Sequence, residues 1–306
     1  NKKMKATIAL IGVLFFTIVL TSCAINNDPF ATDTNSNISA ATDGGITTVG
    51  SIADDLVTGI AGITSIDESQ FYNSNLVSVD SCSGNWTSCS AGLITRDVSC
   101  GDGSLAYTKN MVLTFSAAPS CSFSSNGEYF VKTHTATITG PNGGSYTSTS
   151  DAATNYFGDS IFGGTKITYN SASNYNIDIL GINKKLAKND GTVVWNHSIR
   201  TTSGKPLVIN HFRREGRVIS SGQLVINHNL AYFTTTMDFN SVTYKRGCCY
   251  PITGSITATF TGQIKAVKTI TFNQCGFATI TDIDGTFINM QFFGCENNAA
   301  GDDATL

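Results

Sequence analysis

Charge is scarce in this sequence. Asp, Glu, Lys and Arg together supply 13% of the 306 residues, about half the usual share. The net charge of -3 offers no broad attraction for nucleic acid, which requires clustered Lys and Arg. Catalytic signatures are missing too: no Gly-x-Ser-x-Gly elbow, His-Glu-x-x-His pair or phosphate-binding Gly-rich loop occurs. The cysteines show no Cys-x-x-Cys spacing, which argues against a zinc module. No apolar run reaches the roughly 20 residues that a helix needs to cross a bilayer core. Ser, Thr, Asn and Gly fill the space left by charge, as on the faces and turns of exported β proteins. A hydrophobic content of 41% is enough for a core of useful size.

The main apolar stretch sits near the start. Lys2, Lys3 and Lys5 precede fifteen small and apolar residues from Ala6 to Leu20, and Leu20-Thr21-Ser22-Cys23 closes the run. A basic start, a short hydrophobic middle and small residues at the end form the layout of a secretory signal. Leu20-Thr21-Ser22-Cys23 also resembles the lipobox of bacterial lipoproteins. The resemblance covers residues 2–24 alone. It implies cleavage before Cys23, a diacylglycerol on its sulfur and usually an acyl chain on the freed amine. Residues 1–22 are then a signal peptide, and Cys23 carries the lipid that attaches the protein to a membrane. Ala24, not Asp, follows Cys23, which in this class implies the outer membrane.

Residues 23–69 contain few large apolar side chains and no period, so they read as a lipid-anchored tether, with a short helix opening at Ser51. From Leu76 onward the pattern is alternation. Lys132 to Thr139 sets Thr133, Thr135, Thr137 and Thr139 against His134, Ala136 and Ile138; Val193, Trp195, His197 and Ile199 share a face, as do Leu224, Ile226, His228 and Leu230. These are half-buried strands. Turn signals separate them at Pro141-Asn142-Gly143-Gly144, Asn189-Asp190-Gly191, Ser203-Gly204-Lys205-Pro206, Ser221-Gly222 and Asp284-Gly285. The expected fold is all-β, a mainly antiparallel extended sheet or meander in the form of a sandwich or open barrel. It is assigned to one domain over 70–298, with a split near 150–190 as the alternative and a polar tail at 299–306. Asn183 to Lys188 alone hints at a second helix.

Eight cysteines remain once Cys23 is set aside, in two groups of four separated by a cysteine-free stretch from 122 to 247. An even number in an exported chain predicts disulfides. The favoured pairs are Cys82 with Cys89, Cys100 with Cys121, Cys248 with Cys275 and Cys249 with Cys295. The last two follow because adjacent thiols on a strand face opposite sides.

His197, His211 and His228 each follow an asparagine. If Thr201 and Leu207 close a hairpin, His197 lies opposite His211, near enough for two imidazoles to share a metal. A long strand turning at Ser221-Gly222 then brings Tyr232 opposite His211. The plainer expectation is hydrogen-bonded histidines on a half-buried face. Arg213, Arg214 and Arg217 form the densest basic cluster and are candidates for anionic envelope material. Gly158-Asp159-Ser160-Ile161 resembles the nucleophile block of GDSL-type hydrolases, but the Asp-x-x-His that supplies their base is missing. Asp282, Asp284 and Gly285 faintly suggest calcium and fit a hairpin turn better. No cofactor is expected. The reading is a non-enzymatic, lipid-anchored envelope protein that binds a glycan, lipid or protein or has a structural role, with no nucleic-acid partner. The alternative is a hydrolase using the histidine face.

Overall fold

The computed structural model describes residues 86–101, 106–150, 153–154, 160–161, 163–171, 173–211, 216–245, 248 and 250–291. The signal, Cys23, the tether, Cys82, Arg213, Arg214, Cys249 and Cys295 lie outside them. Every named element is a strand: β1 (Leu93–Gly101), β2 (Ala106–Phe115), β3 (Tyr129–Thr139), β4 (Ser145–Thr149), β5 (Ala153–Thr154), β6 (Ser160–Ile161), β7 (Gly164–Ser171), β8 (Asn174–Ala187), β9 (Val193–Thr201), β10 (Leu207–Asn210), β11 (Val218–Ser221), β12 (Gln223–His228), β13 (Phe233–Thr243), β14 (Thr253–Gly262), β15 (Ala266–Gln274), β16 (Phe277–Asp282) and β17 (Phe287–Gln291). Asn183 to Ala187, where the sequence hinted at a helix, is the end of β8. It pairs with β4 on one side and β9 on the other, so the sheet overrides a weak helical preference.

Fifteen of the strands form one antiparallel sheet. Three of its lanes are each built from two collinear strands. Between β3 and β8, β4 pairs one half of each and β7 the other. Beside β8, β9 continues into β10, and in the next lane β11 continues into β12. With these joined, the chain runs up and down in sequence order from β1 to β17, as the expected meander does.

The joins explain two errors of register. Ser203-Gly204 makes a tight turn closed by the Thr202–Lys205 bridge, after which the chain resumes its direction in the same lane. Ser221-Gly222 is likewise a break within a lane. Gly222 has φ +127°, and a Cβ there would lie 2.4 Å from the Pro206 carbonyl oxygen, so the close passage of the two lanes requires glycine. The true reversal between these lanes falls between Asn210 and Val218.

Alternation leaves one face of the sheet dry. Leu113, Phe130, Ile167, Ile177, Ile199, Leu224, Ile226, Met237, Phe260 and Ile270 all point to it and join one apolar cluster. The opposite face carries mostly Thr, Asn and Ser. A sheet this wide curls, and the β2–β3 connection caps part of the dry face: Phe123 stacks on Phe130 and on Tyr169, with centroids 5.6 and 5.4 Å apart.

Among the described residues, two disulfides hold the connections. Cys89 bonds Cys121 and Cys248 bonds Cys275, each pair with Cα atoms 5.8 Å apart, inside the range for an unforced bridge. The second is the pairing favoured from sequence. The first corrects Cys82–Cys89 and Cys100–Cys121. The β2–β3 connection folds back onto the start of β1, where the Gly92 N–H donates to the Pro119 carbonyl at 3.1 Å. Cys100 lies at the far end of β1, in register with Tyr107, about 25 Å along the strand from that point.

Candidate functional site

The inward face is not apolar throughout. Lys109, Ala136, Ser148, Lys184, His197, His228 and Phe233 are successive register partners across β2, β3, β4, β8, β9, β12 and β13. Strand parity places all of them on the inward side, one per lane, at about 4.8 Å per lane. A polar row therefore crosses the otherwise hydrophobic face, and two hydrogen-bonded groups stand out in it.

The first is a histidine pair. His228 Nδ1 lies 3.0 Å from His197 Nε2, and His228 Nε2 lies 3.1 Å from Thr235 Oγ1. The His228 ring stacks on Phe233 with centroids 4.0 Å apart. Burial pulls the His197 imidazole down to about 3, and the positive charge of Lys184 adds to the effect. His228 is held well below its ordinary value, first by burial and then by His197. Both rings are neutral at pH 7, with a proton shared along the chain: one ring nitrogen donates and the facing one accepts.

The second group surrounds His134. Its Nε2 lies 2.9 Å from Ser148 Oγ and its Nδ1 lies 3.1 Å from Ser150 Oγ. A serine hydroxyl against an imidazole nitrogen is the contact from which a base-activated nucleophile is built. Lys184 stands opposite Ser148 across the β4–β8 pair.

His211 does not join either group. It follows β10 with φ +60° and is exposed. Asn210, just before it, pairs with Asn174, whereas His197 pairs with Lys184; ten residues of β8 separate those points, about 33 Å. His197 opposes His228, not His211, because β9 and β10 are collinear and never form the supposed hairpin. Tyr232 sits exposed between β12 and β13, away from His211. Among the described residues no group of three or more His, Cys, Asp or Glu is placed to hold a metal ion.

Arg217 also departs from expectation. It is 1% exposed, and its guanidinium lies 5.5 Å from the centre of the Tyr244 ring, so it belongs to the interior and not to a surface cluster. Asp282 pairs with Lys268, and Asp284 accepts from Thr286 within the β16–β17 hairpin; the turn accounts for both carboxylates. Ser160 of the GDSL-like block lies in the short β6, paired with β5.

Sequence reasoning placed His134 on the correct face but missed its partners. Ser148, Ser150 and Lys184 meet it only through the register of β3, β4 and β8, and no local pattern encodes that. Comparison with known protein families, curated proteins and solved structures finds no match to this chain.

Proposed function

We propose that the protein is a lipid-anchored component of a bacterial outer membrane with a binding or structural role, attached through Cys23. The observation that carries this reading is the pair of disulfides, Cys89–Cys121 and Cys248–Cys275. Each joins neighbouring connections at one end of the sheet, which suits a body that matures in an oxidising compartment. The lipobox-like Leu20-Thr21-Ser22-Cys23 supplies the route out and the anchor. The outward face, with Thr135, Thr149, Asn183 and Asn196 on adjoining strands, offers hydroxyls and amides with little charge. Such a surface suits a polar, uncharged partner such as a glycan. Growth of the producing cells with radioactive palmitate tests the anchor. The expected result is a labelled protein in the outer-membrane fraction and loss of label in Cys23→Ser; undiminished label in that variant overturns the reading.

A second reading, a hydrolase on the histidine-lined face, is favoured by the 2.9 Å contact of Ser148 with His134. A fluorophosphonate probe that labels the protein, but not Ser148→Ala, would establish it.

A further inference from the structure

The wide sheet has two edges, β1 and β17, and they are finished differently. At an edge, backbone N–H and C=O groups face away from the sheet and accept another strand unless charge, proline, a bulge or a covering segment prevents it. β1 is protected. The segment before it turns back along its free side: Ser90 and Leu93 exchange backbone hydrogen bonds at 3.0 and 2.9 Å, the Thr87 N–H donates to the Thr95 carbonyl at 2.9 Å, and Trp86 bridges Arg96. Beyond this cover, Asp97 places a charge on the strand.

β17 has none of these devices. Phe287-Ile288-Asn289-Met290-Gln291 contains no charge and no proline, it pairs with β16 along its whole length without a bulge, and among the described residues no strand lies on its other side. Burial shows the same open edge. Ile256, Ile270, Ile280 and Ile288 are register partners in one inward row across β14, β15, β16 and β17. Their exposures are 0, 0, 4 and 40%, so an apolar row that is dry for three lanes meets water at the last. We infer that β17 pairs antiparallel with β17 of a second copy, joining the two sheets edge to edge about a two-fold axis through Asn289. That register pairs the whole strand: Phe287 with Gln291 of the second copy, Ile288 with Met290, and Asn289 with its own counterpart. A second copy is the occupant for two reasons. An uncharged strand meets itself without like-charge repulsion, and a two-fold contact closes after two chains. Pairing of β17 with β1 of another copy, which would propagate into a filament, is opposed by the cover from Trp86 to Ser90. Five paired residues a side are fewer than the roughly 20–30 of a standard interface, so the dimer is a weak, exchanging one. It requires neither the lipid at Cys23 nor any ligand.

Disulfide trapping on the full chain tests the inference. Across the axis the two Asn289 Cα atoms lie about 4.5–5.5 Å apart, within the range that a disulfide spans. Mild oxidation of Asn289→Cys is expected to give a dimer on a non-reducing gel, with a peptide map that joins two copies of the peptide around position 289. Asn273→Cys is the control. It is exposed on the same outward face two lanes in, on β15, and is expected to stay monomeric. Ile288→Lys, made in the Asn289→Cys background, sets one lysine on each side of the axis and should cut the cross-link at least about fivefold. Since Ile288 is half-exposed at the edge, this variant is expected to keep its urea midpoint. Monomer alone from Asn289→Cys, a link from position 289 only to a cysteine elsewhere in the chain, equal cross-linking of the control, or a cross-link undiminished by Ile288→Lys would each overturn the inference. The palmitate test bears on none of these outcomes, so the two readings fail independently.

Discussion

His228 makes three directed contacts, to His197, Thr235 and Phe233, and the chemistry of the row turns on them. Burial holds both imidazoles neutral, so protons bind the unfolded chain more readily than the folded one. For a histidine whose folded pKa is depressed, stability is complete above the unfolded value of 6.5 and falls as pH drops toward the folded value, about 3 for His197. The expected slope is about 1.4 kcal/mol per pH unit for each ring between pH 6 and 4.5. The carboxylates held low by hydrogen bonds, Glu128, Asp190, Asp282 and Asp284, lose their contribution only at lower pH. Urea unfolding at pH 7.5 and 5 should show the loss, and His197→Gln/His228→Gln should flatten it; a slope unchanged in that variant would place the proton elsewhere. Thr235→Val removes the hydroxyl partner of His228 Nε2 and leaves a buried nitrogen unsatisfied, a cost of about 1–3 kcal/mol in the same assay.

Interrupted lanes are the feature that distinguishes the elements. β11 and β12 keep one direction across Gly222, where the backbone takes φ +127° and an added Cβ would lie 2.4 Å from the Pro206 carbonyl oxygen. Gly222→Ala should therefore cost at least about 2–3 kcal/mol, since strain and overlap add. Gly191→Ala is the control: φ is +83° in the β8–β9 turn, but nothing lies within 4 Å of the added Cβ, so the cost is the conformational one of about 1 kcal/mol. Equal denaturation midpoints for the two variants would refute the close-passage account. The same interruptions shift the polar row. A plain hairpin after β9 would have set His197 beside His211; the collinear β10 carries His211 to the opposite end of β8.

On the scale of the molecule, an up-and-down sheet relies on contacts between successive lanes, and the two disulfides tie connections that lie away from the apolar cluster's centre. Their sequence separations of 32 and 27 residues give about 3–4 kcal/mol each by restriction of the unfolded chain. Cys89→Ser/Cys121→Ser and Cys248→Ser/Cys275→Ser should each lower stability by that amount, and a non-reducing peptide map should recover both linked pairs. Recovery of Cys100 linked to Cys121 would restore the pairing first expected.

Strand class, strand order and turn positions were largely legible in the sequence, because a period of two and the Gly, Asn and Asp punctuation are local properties. Parity placed His197, His211 and His228 on the more apolar faces of their strands, and of these His211 lies exposed after β10. Which of them meet was not legible. Register between strands depends on whether a turn signal reverses the chain or merely interrupts it, and Ser203-Gly204 and Ser221-Gly222 have the composition of reversals. Arg217 shows the same limit, since an arginine beside a bend looks solvated until Tyr244 is folded over it. The sequence by itself determined a low-charge, all-β chain. Only the tertiary structure decided the partners across the sheet, because cross-strand neighbours are set by the sum of all lanes and not by any one segment.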